Sequence, residues 1–257
     1  MTPSPSTVVY VTKDQHVAEL VMNRPEMLNA QDWQVMREFH HALDEIENSS
    51  EIRALVVTGA GRAFSTGIDL KALSKGEIGF DWFRCFDEAV RRLEQLSILT
   101  IAQIKGYAIG GGLQVALGCD LRIATPNTRL GLPAVMEALI PGMGTYRLPR
   151  FIGLGRARRM ILTGEMIGAE EALQIGLLDW VIDEEKLQET VRSVIQTVLN
   201  GSSTAQTLSK RLANAAFEST FDEAFEKYLA NQELALRSED HSRAMEEYRT
   251  RRTKPHH

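Results

Sequence analysis

Two glycine-bearing segments hold the residues best suited to chemistry. One runs from Val57 through Gly67-Ile68-Asp69 to Leu70; the other runs from Ile104 through Gly110-Gly111-Gly112 to Asp120. Each follows an apolar, β-branched run and leads into a helix-like stretch. A glycine triplet at a strand-to-helix junction lets the backbone approach a ligand closely, and the helix start adds unpaired N–H groups and the positive end of its dipole. The turn after Gly67 presents the Ile68 N–H in the same way. Two amides converging on one oxygen would stabilise an enolate or a tetrahedral oxyanion, at roughly 3–4 kcal/mol per good donor. Neither segment fits GxGxxG in register, and GxxxxGK[ST] is absent, so nucleotide phosphate is the weaker reading.

These segments need elements to hold them. Thr7–Thr12 and Val17–Met22 read as an opening hairpin around Lys13-Asp14-Gln15. Asn23-Arg24-Pro25 ends the second strand. Asn29 is a plausible N-cap with Asp32 in the first turn, and Trp33, Met36, Phe39, Leu43 and Ile46 recur at helical spacing, which predicts an amphipathic helix over 30–47. Ile52–Thr58, Ser97–Ile104, Leu121–Ala124 and Thr128–Leu130 read as strands. Lys71–Leu96, with Trp82, Phe83 and Phe86, is expected to form a wall or lid beside the site, or an ordinary covering helix. After Pro133 the chain turns helical: Gly144–Thr163, Ala169–Gln174, a last strand at Leu177–Ile182, and Glu184–Asn200. Gly201-Ser202-Ser203 breaks that helix, and the tail to about Arg252 should pack on the body or on a neighbouring subunit.

The bulk numbers fit one large α/β domain, or one with a helical appendage: 257 residues, 44% apolar, net charge −5. The acidic balance argues against nucleic acid as partner. Cys85 and Cys119 show no metal or disulfide spacing, so neither a metal site nor a disulfide is expected. No apolar run is long enough to span a bilayer. Met1–Thr7 lacks the basic start and apolar stretch of a signal peptide, so a cytoplasmic setting is expected. The closing His256-His257 reads as native or as the remnant of a tag.

The motifs taken together resemble the crotonase superfamily, the enoyl-CoA hydratase/isomerase family, over nearly the whole length. Asn23-Arg24-Pro25-Glu26-Met27-Leu28-Asn29-Ala30 is similar to the family's N-R-P-x-x-x-N-A. Gly59 through Leu70 is similar to G-x-G-x-A-F-[SC]-[AS]-G-x-D-[LI]. Gly106-Tyr107-Ala108-Ile109-Gly110-Gly111-Gly112, Cys119-Asp120-Leu121-Arg122-Ile123-Ala124, Ile140-Pro141-Gly142, Arg147-Leu148-Pro149-Arg150 and Ala169–Leu177 follow in the family's order. The resemblance implies an α/β fold, the crotonase (ClpP-like) spiral of ββα units, with residues 1–200 forming the core and 201–257 a helical region used in trimer packing and in part of the coenzyme A pocket. It implies a homotrimer, or a hexamer of two trimers. It implies an acyl-CoA ligand, coenzyme A being part of the substrate and no prosthetic group being needed. The thioester oxygen would lie between the backbone N–H groups of Ile68 and Gly111, and the backbone near Met27, Leu28, Ser65, Thr66, Gly67 and Gly110 would line the coenzyme A site. Asp69 is expected to cap the following helix.

The resemblance also exposes a departure. Family hydratases place one glutamate two residues past the triple glycine and a second just after the residue matching Pro133; here those positions are Gln114 and Ala134. Hydration needs groups that take and give protons near neutral pH, each worth about 10²–10⁴ in rate. Glutamine holds a water or a carbonyl but does not titrate, and alanine does neither. Glu137 is the nearest carboxylate, and a helical turn over Ala134–Glu137 would bring it to the same face as a displaced acid or base. Tyr146, His40, His41, Cys119 and the lid acids Glu77, Asp81 and Asp87 are weaker candidates. Three functions follow: an acyl-CoA enzyme with altered chemistry, a crotonase homologue that binds acyl-CoA without turning it over, and a standard enoyl-CoA hydratase.

Overall fold

A computed structural model describes residues 7–252; His256 and His257 lie outside the described residues. The chain divides into two compact units, one up to Val194 and one from Ile195 onward.

The first unit opens with the hairpin β1 (Val9–Asp14) and β2 (Val17–Met22), paired antiparallel with Val9 opposite Met22. α1 (Trp33–Glu47), β3 (Ala54–Gly59), α2 (Leu70–Ser74), α3 (Phe80–Gln95), β4 (Leu99–Ile104), β5 (Tyr107–Ile109), α4 (Gly111–Leu117), β6 (Leu121–Ala124) and β7 (Arg129–Gly131) follow. Then come α5 (Gly144–Ile152), α6 (Leu154–Thr163), β8 (Met166–Gly168), α7 (Ala169–Gln174), β9 (Trp180–Val181) and α8 (Glu184–Leu199), the last of which crosses into the second unit. Six strands form one sheet in the order β1-β2-β3-β4-β6-β9, parallel from β2 onward. The second sheet is β5-β7-β8.

From β4 to β7 successive strands alternate between the two sheets. β4 lies in the first and β5 in the second, then α4 follows; β6 and β7 repeat the step. Two isolated parallel bridges, Ser65 to Ala108 and Gln31 to Ile68, extend the pattern to the preceding turns of chain. The result is the repeating strand–strand–helix winding expected above. β3 is buried along its whole length, as a central parallel strand must be. α1 turns Val35, Met36, Phe39, Leu43 and Ile46 into the core, each such side chain contributing about 1.5–3 kcal/mol. Arg122 on β6 is 2% exposed and ties that strand to the chain that leads into β9. It donates to Leu177 O at 2.8 Å and Cys119 O at 2.9 Å, and pairs with Asp179 at 3.1 Å.

One expectation, the Asn29 cap, is corrected, and two helical stretches gain their bounds. α1 starts at Trp33, and its cap is Asp32, whose carboxylate accepts from the Val35 amide at 3.0 Å. Asn29 does not cap a helix: its φ is +57°, and its side chain is used elsewhere, as described below. Gly144–Thr163 is two helices, because Gly153 takes φ +78° between α5 and α6.

The second unit contains the end of α8 and the helices α9 (Ser203–Asn214), α10 (Phe221–Leu236) and α11 (Glu239–Arg252). Ser202 caps α9, and Thr220 with Glu223 forms a capping box on α10. The Asp240 carboxylate accepts from the Ser202 hydroxyl at 2.8 Å and the Thr204 amide at 3.2 Å, tying the start of α11 to the start of α9.

Candidate active site

The site begins with an asparagine. Asn29 is 1% exposed, and its Nδ2 donates to Ala60 O, Ala63 O and Phe64 O at 3.0, 2.8 and 3.2 Å, while its Oδ1 accepts from the Arg24 amide at 2.8 Å. One side chain thus ties the Asn23–Ala30 loop to the loop after β3. The Ser65 hydroxyl donates to Asn29 O at 2.8 Å and accepts from the Gly67 amide at 3.1 Å, which sets the turn that presents Ile68. The Thr66 amide donates to Leu28 O at 3.1 Å, so Met27-Leu28 and Ser65-Thr66, the segments expected to line coenzyme A, lie side by side. Ser65 is fully buried and its backbone is paired with the second sheet, whereas Thr66 lines a cavity.

Asp69 follows as the cap of α2. Its carboxylate accepts from the Lys71 and Ala72 amides, each at 3.1 Å, and pairs with Arg24 at 3.1 Å. Burial alone would raise its pKa, but the Ala72 amide and the Arg24 guanidinium win, and the carboxyl sits below the usual range. This is a structural acid, as the motif implied.

The two glycine segments meet. Gly67 has φ +83°, and a β-carbon placed on it would lie 2.6 Å from the Gly111 nitrogen, so only glycine permits this approach. Gly111 opens α4 and Gly110 precedes it as N-cap. Among the described residues, neither the Ile68 amide nor the Gly111 amide is matched to an acceptor. Both residues line a cavity of about 160 Å³. Ile68, Leu70, Trp82, Phe83, Phe86 and Ile109 supply apolar wall; Trp82 and Phe86 stack at 5.4 Å. Lys71–Leu96 therefore does form one side of the cavity, through α3.

Gln114 and Ala134, the positions expected to match the family's glutamates, both line this cavity, and so does Glu137. Pro133–Glu137 is a single 3-10 turn, which brings Ala134 and Glu137 to the same wall. Gln114 is 5% exposed and its Oε1 accepts from the Gly144 amide at 2.9 Å. That bond fixes the carboxamide's orientation, because the reverse would set NH₂ against N–H. Its Nε2 is left as a donor toward the cavity.

Asp87, on α3, is the second carboxylate in the lining. Its Oδ1 accepts from the Met143 amide at 3.3 Å and lies 3.9 Å from Arg147 Nη1. Burial pushes its pKa above the usual carboxylate value, against the opposing pull of Met143 and Arg147. Sequence reasoning ranked Asp87 low, yet a signal was present: it stands four residues after Phe83, so both share the cavity face of α3.

The remaining candidates lie outside the lining. The His40 ring accepts from Arg92 at Nδ1, 3.1 Å, and donates from Nε2 to Cys85 O, 3.0 Å, clamping α1 to α3. His41 is exposed and lies 3.9 Å from Asp44. The Tyr146 ring carries the Arg150 guanidinium 3.3 Å from its centroid. Cys119 is buried, with its thiol directed at Val115 O at 3.6 Å. Glu77 and Asp81 are exposed. Gln31 escaped sequence reasoning altogether. It is fully buried against Gly111, and no local pattern marks a polar side chain that turns inward from a loop.

The family described as Enoyl-CoA hydratase/isomerase matches residues 12–257. A short-chain-enoyl-CoA hydratase of Clostridium acetobutylicum is 36% identical over 220 residues, covering 84% of each chain. A crotonyl-CoA hydratase of Syntrophomonas wolfei is 33% identical over 224 residues, covering 84% of this chain and 85% of the relative. The crystal structure of an enoyl-CoA hydratase from Bacillus anthracis superposes with a TM-score of 0.89 at 29% identity, over 97% of this chain and 98% of the other. The crotonase-type winding, the two meeting glycine segments and the likeness along the chain agree, and the chain belongs to the enoyl-CoA hydratase/isomerase family.

Proposed function

We propose that the chain binds an acyl-CoA thioester with its carbonyl oxygen between the Ile68 and Gly111 amides, and moves a proton at the carbon beside that carbonyl, using one carboxylate instead of a glutamate pair. Coenzyme A enters as the carrier of the acyl group, its nucleotide end resting along Met27, Leu28 and Thr66, and no prosthetic group takes part. As the α-proton leaves, negative charge grows on the thioester oxygen, and two fixed amides oppose that charge at the moment it forms. The apolar wall of Trp82, Phe83 and Phe86 excludes water and strengthens the effect.

The observation that carries this reading is the Gln114 carboxamide. Its oxygen is already spent on the Gly144 amide, so it offers the ligand a donor and no base. With Ala134 across the cavity, these two positions offer a water molecule neither the acid nor the base that hydration uses. The test is to give the purified chain crotonyl-CoA and saturated acyl-CoAs in D₂O. The expected result is α-deuterium exchange, with loss of the enoyl band about 10²-fold or more below that of a two-glutamate relative measured alongside. Loss at the relative's rate would overturn the reading in favour of standard hydration. Tight binding without exchange would overturn it in favour of a protein that holds acyl-CoA without turning it over.

The same family likeness supports assembly as a homotrimer or a dimer of trimers. Phe221, Phe225, Tyr228 and Leu229 on α10 are exposed within one chain and suit such an interface.

A further inference from the structure

We propose that Asp87 is the group that carries the proton of the enolate step. This rests on the enolate reading above and names its missing residue.

Asp87 and Glu137 are the two carboxylates of the lining, and their settings differ. Glu137 ends an exposed 3-10 turn. Asp87 is half-buried on a helix, with one oxygen engaged and one free. Oδ1 takes the Met143 amide and faces Arg147, whereas no protein donor is matched to Oδ2 among the described residues. A β-carbon on Gly142 would lie 3.1 Å from Asp87 Oδ2 and 3.2 Å from Gln114 Oε1. The free oxygen of Asp87 therefore shares one patch of wall with Gln114. Gln114 lies on the first turn of α4, the turn that begins with the Gly111 amide. The carboxylate thus stands where the family's first glutamate would act, reached from α3 instead of α4.

Arg147 holds the balance. It is 4% exposed, donates to Glu94 at 3.3 and 3.2 Å, and its Nη1 is buried, 3.9 Å from Asp87 and with no hydrogen-bond partner among the described residues. Its charge, shared with Glu94, keeps the ionised form of Asp87 accessible, while burial keeps the protonated form within reach. A shuttle needs both forms. Glu137 is the other carboxylate that lines the cavity.

The step balances without a co-reactant. With a 3-enoyl thioester as the probe, the Asp87 carboxylate takes the α-proton: the C–H bond breaks and an O–H bond forms. The electron pair spreads through the double bond onto the thioester oxygen, held by Ile68 and Gly111. The Asp87 carboxyl then returns the proton to the γ-carbon, forming a C–H bond and leaving a 2-enoyl thioester and the original carboxylate.

The experiment uses the full chain and trans-3-hexenoyl-CoA, following the 2-enoyl band and α-deuterium uptake in D₂O, with thermal melts alongside. Asp87→Asn is expected to lower kcat by about 10²–10⁴ with KM and the melting temperature held, and to remove the acidic limb of the kcat–pH profile. If Asp87→Asn does not fold, Asp87→Glu is read instead: displacing the carboxyl by one methylene should lower kcat at least about 10-fold with KM unchanged. Wild-type turnover that survives the Asp87 change, or that is lost only in Glu137→Gln, overturns the assignment and leaves the enolate reading standing. A wild-type chain that binds the thioester yet neither isomerises nor exchanges it overturns both.

Discussion

Gln31 holds both halves of the proposed oxyanion site and does so at a cost. Its amide donates to Gly67 O at 2.7 Å and its carbonyl accepts from the Asp69 amide at 2.9 Å, so its backbone brackets Ile68. Its side chain runs beneath Gly111, where a β-carbon on that glycine would collide with Gln31 Oε1. Yet the carboxamide is fully buried and, among the described residues, neither Oε1 nor Nε2 has a hydrogen-bond partner. An unmatched buried amide costs about 1–3 kcal/mol. The bracket is made by backbone alone, so Gln31→Leu should keep it and remove the penalty. The expected outcome is a rise in stability of about 1–3 kcal/mol, seen in a melt as about 2–4 °C per kcal/mol. A fall in melting temperature would show that packing around the carboxamide outweighs its unmet hydrogen bonds. This arrangement was not legible in the sequence, because a glutamine between Ala30 and Asp32 looks like any loop residue until the chain folds over it.

At the scale of elements, what the sequence showed and what it concealed divide along a physical line. α1 and β3 were legible because long periodic or continuous apolar runs carry their own signal. β5 and β8 were not: each is three residues long and exists only because β7 pairs with both. The break at Gly153 was hidden in a stretch of good helix formers. Asp69 shows the reverse case, where a motif foretold a cap. It holds the N-terminus of α2 and, through Arg24, the loop before α1; Arg24 also reaches Ala30 O at 2.7 Å and Asp32 at 3.2 Å. Asp69→Ala would remove the cap and one charged partner while leaving Arg24 paired with Asp32, a loss of roughly 2 kcal/mol by chemical denaturation. The sign of its pH dependence follows from the lowered pKa. Such a group stabilises the fold above its unfolded pKa, about 3.9, and that contribution fades as pH falls through the lower folded value. The gap between wild type and Asp69→Ala should therefore hold from pH 8 to about pH 5 and narrow only below about pH 4. A gap that closed between pH 7 and pH 5 would mean that another group sets it.

For the molecule as a whole, the distribution of apolar surface raises the question of assembly. The first unit buries its large side chains, with Trp82, Phe39, Phe64 and Leu20 each at 2% exposure or less. In the second unit α10 has no buried residue, and Phe221, Phe225 and Tyr228 are 80%, 46% and 45% exposed. Phe221 and Phe225 stack at 6.1 Å, and Phe225 meets Tyr228 at 6.3 Å, so the rings form one continuous strip along the helix. A strip of this kind marks a contact surface more often than a solvated one. The covering proposed above is another copy of the chain, so solution mass is the measurement that decides. Light scattering on the eluting peak should give about three or six times the 28.7 kDa chain at micromolar concentration. Phe225→Glu would place a charge in the middle of the strip, and burying an unpaired carboxylate costs several kcal/mol per interface. That variant should shift toward lower mass while keeping its helical content by circular dichroism. A wild-type peak at the mass of one chain would overturn the assembly, and an unchanged mass in Phe225→Glu would move the interface off α10.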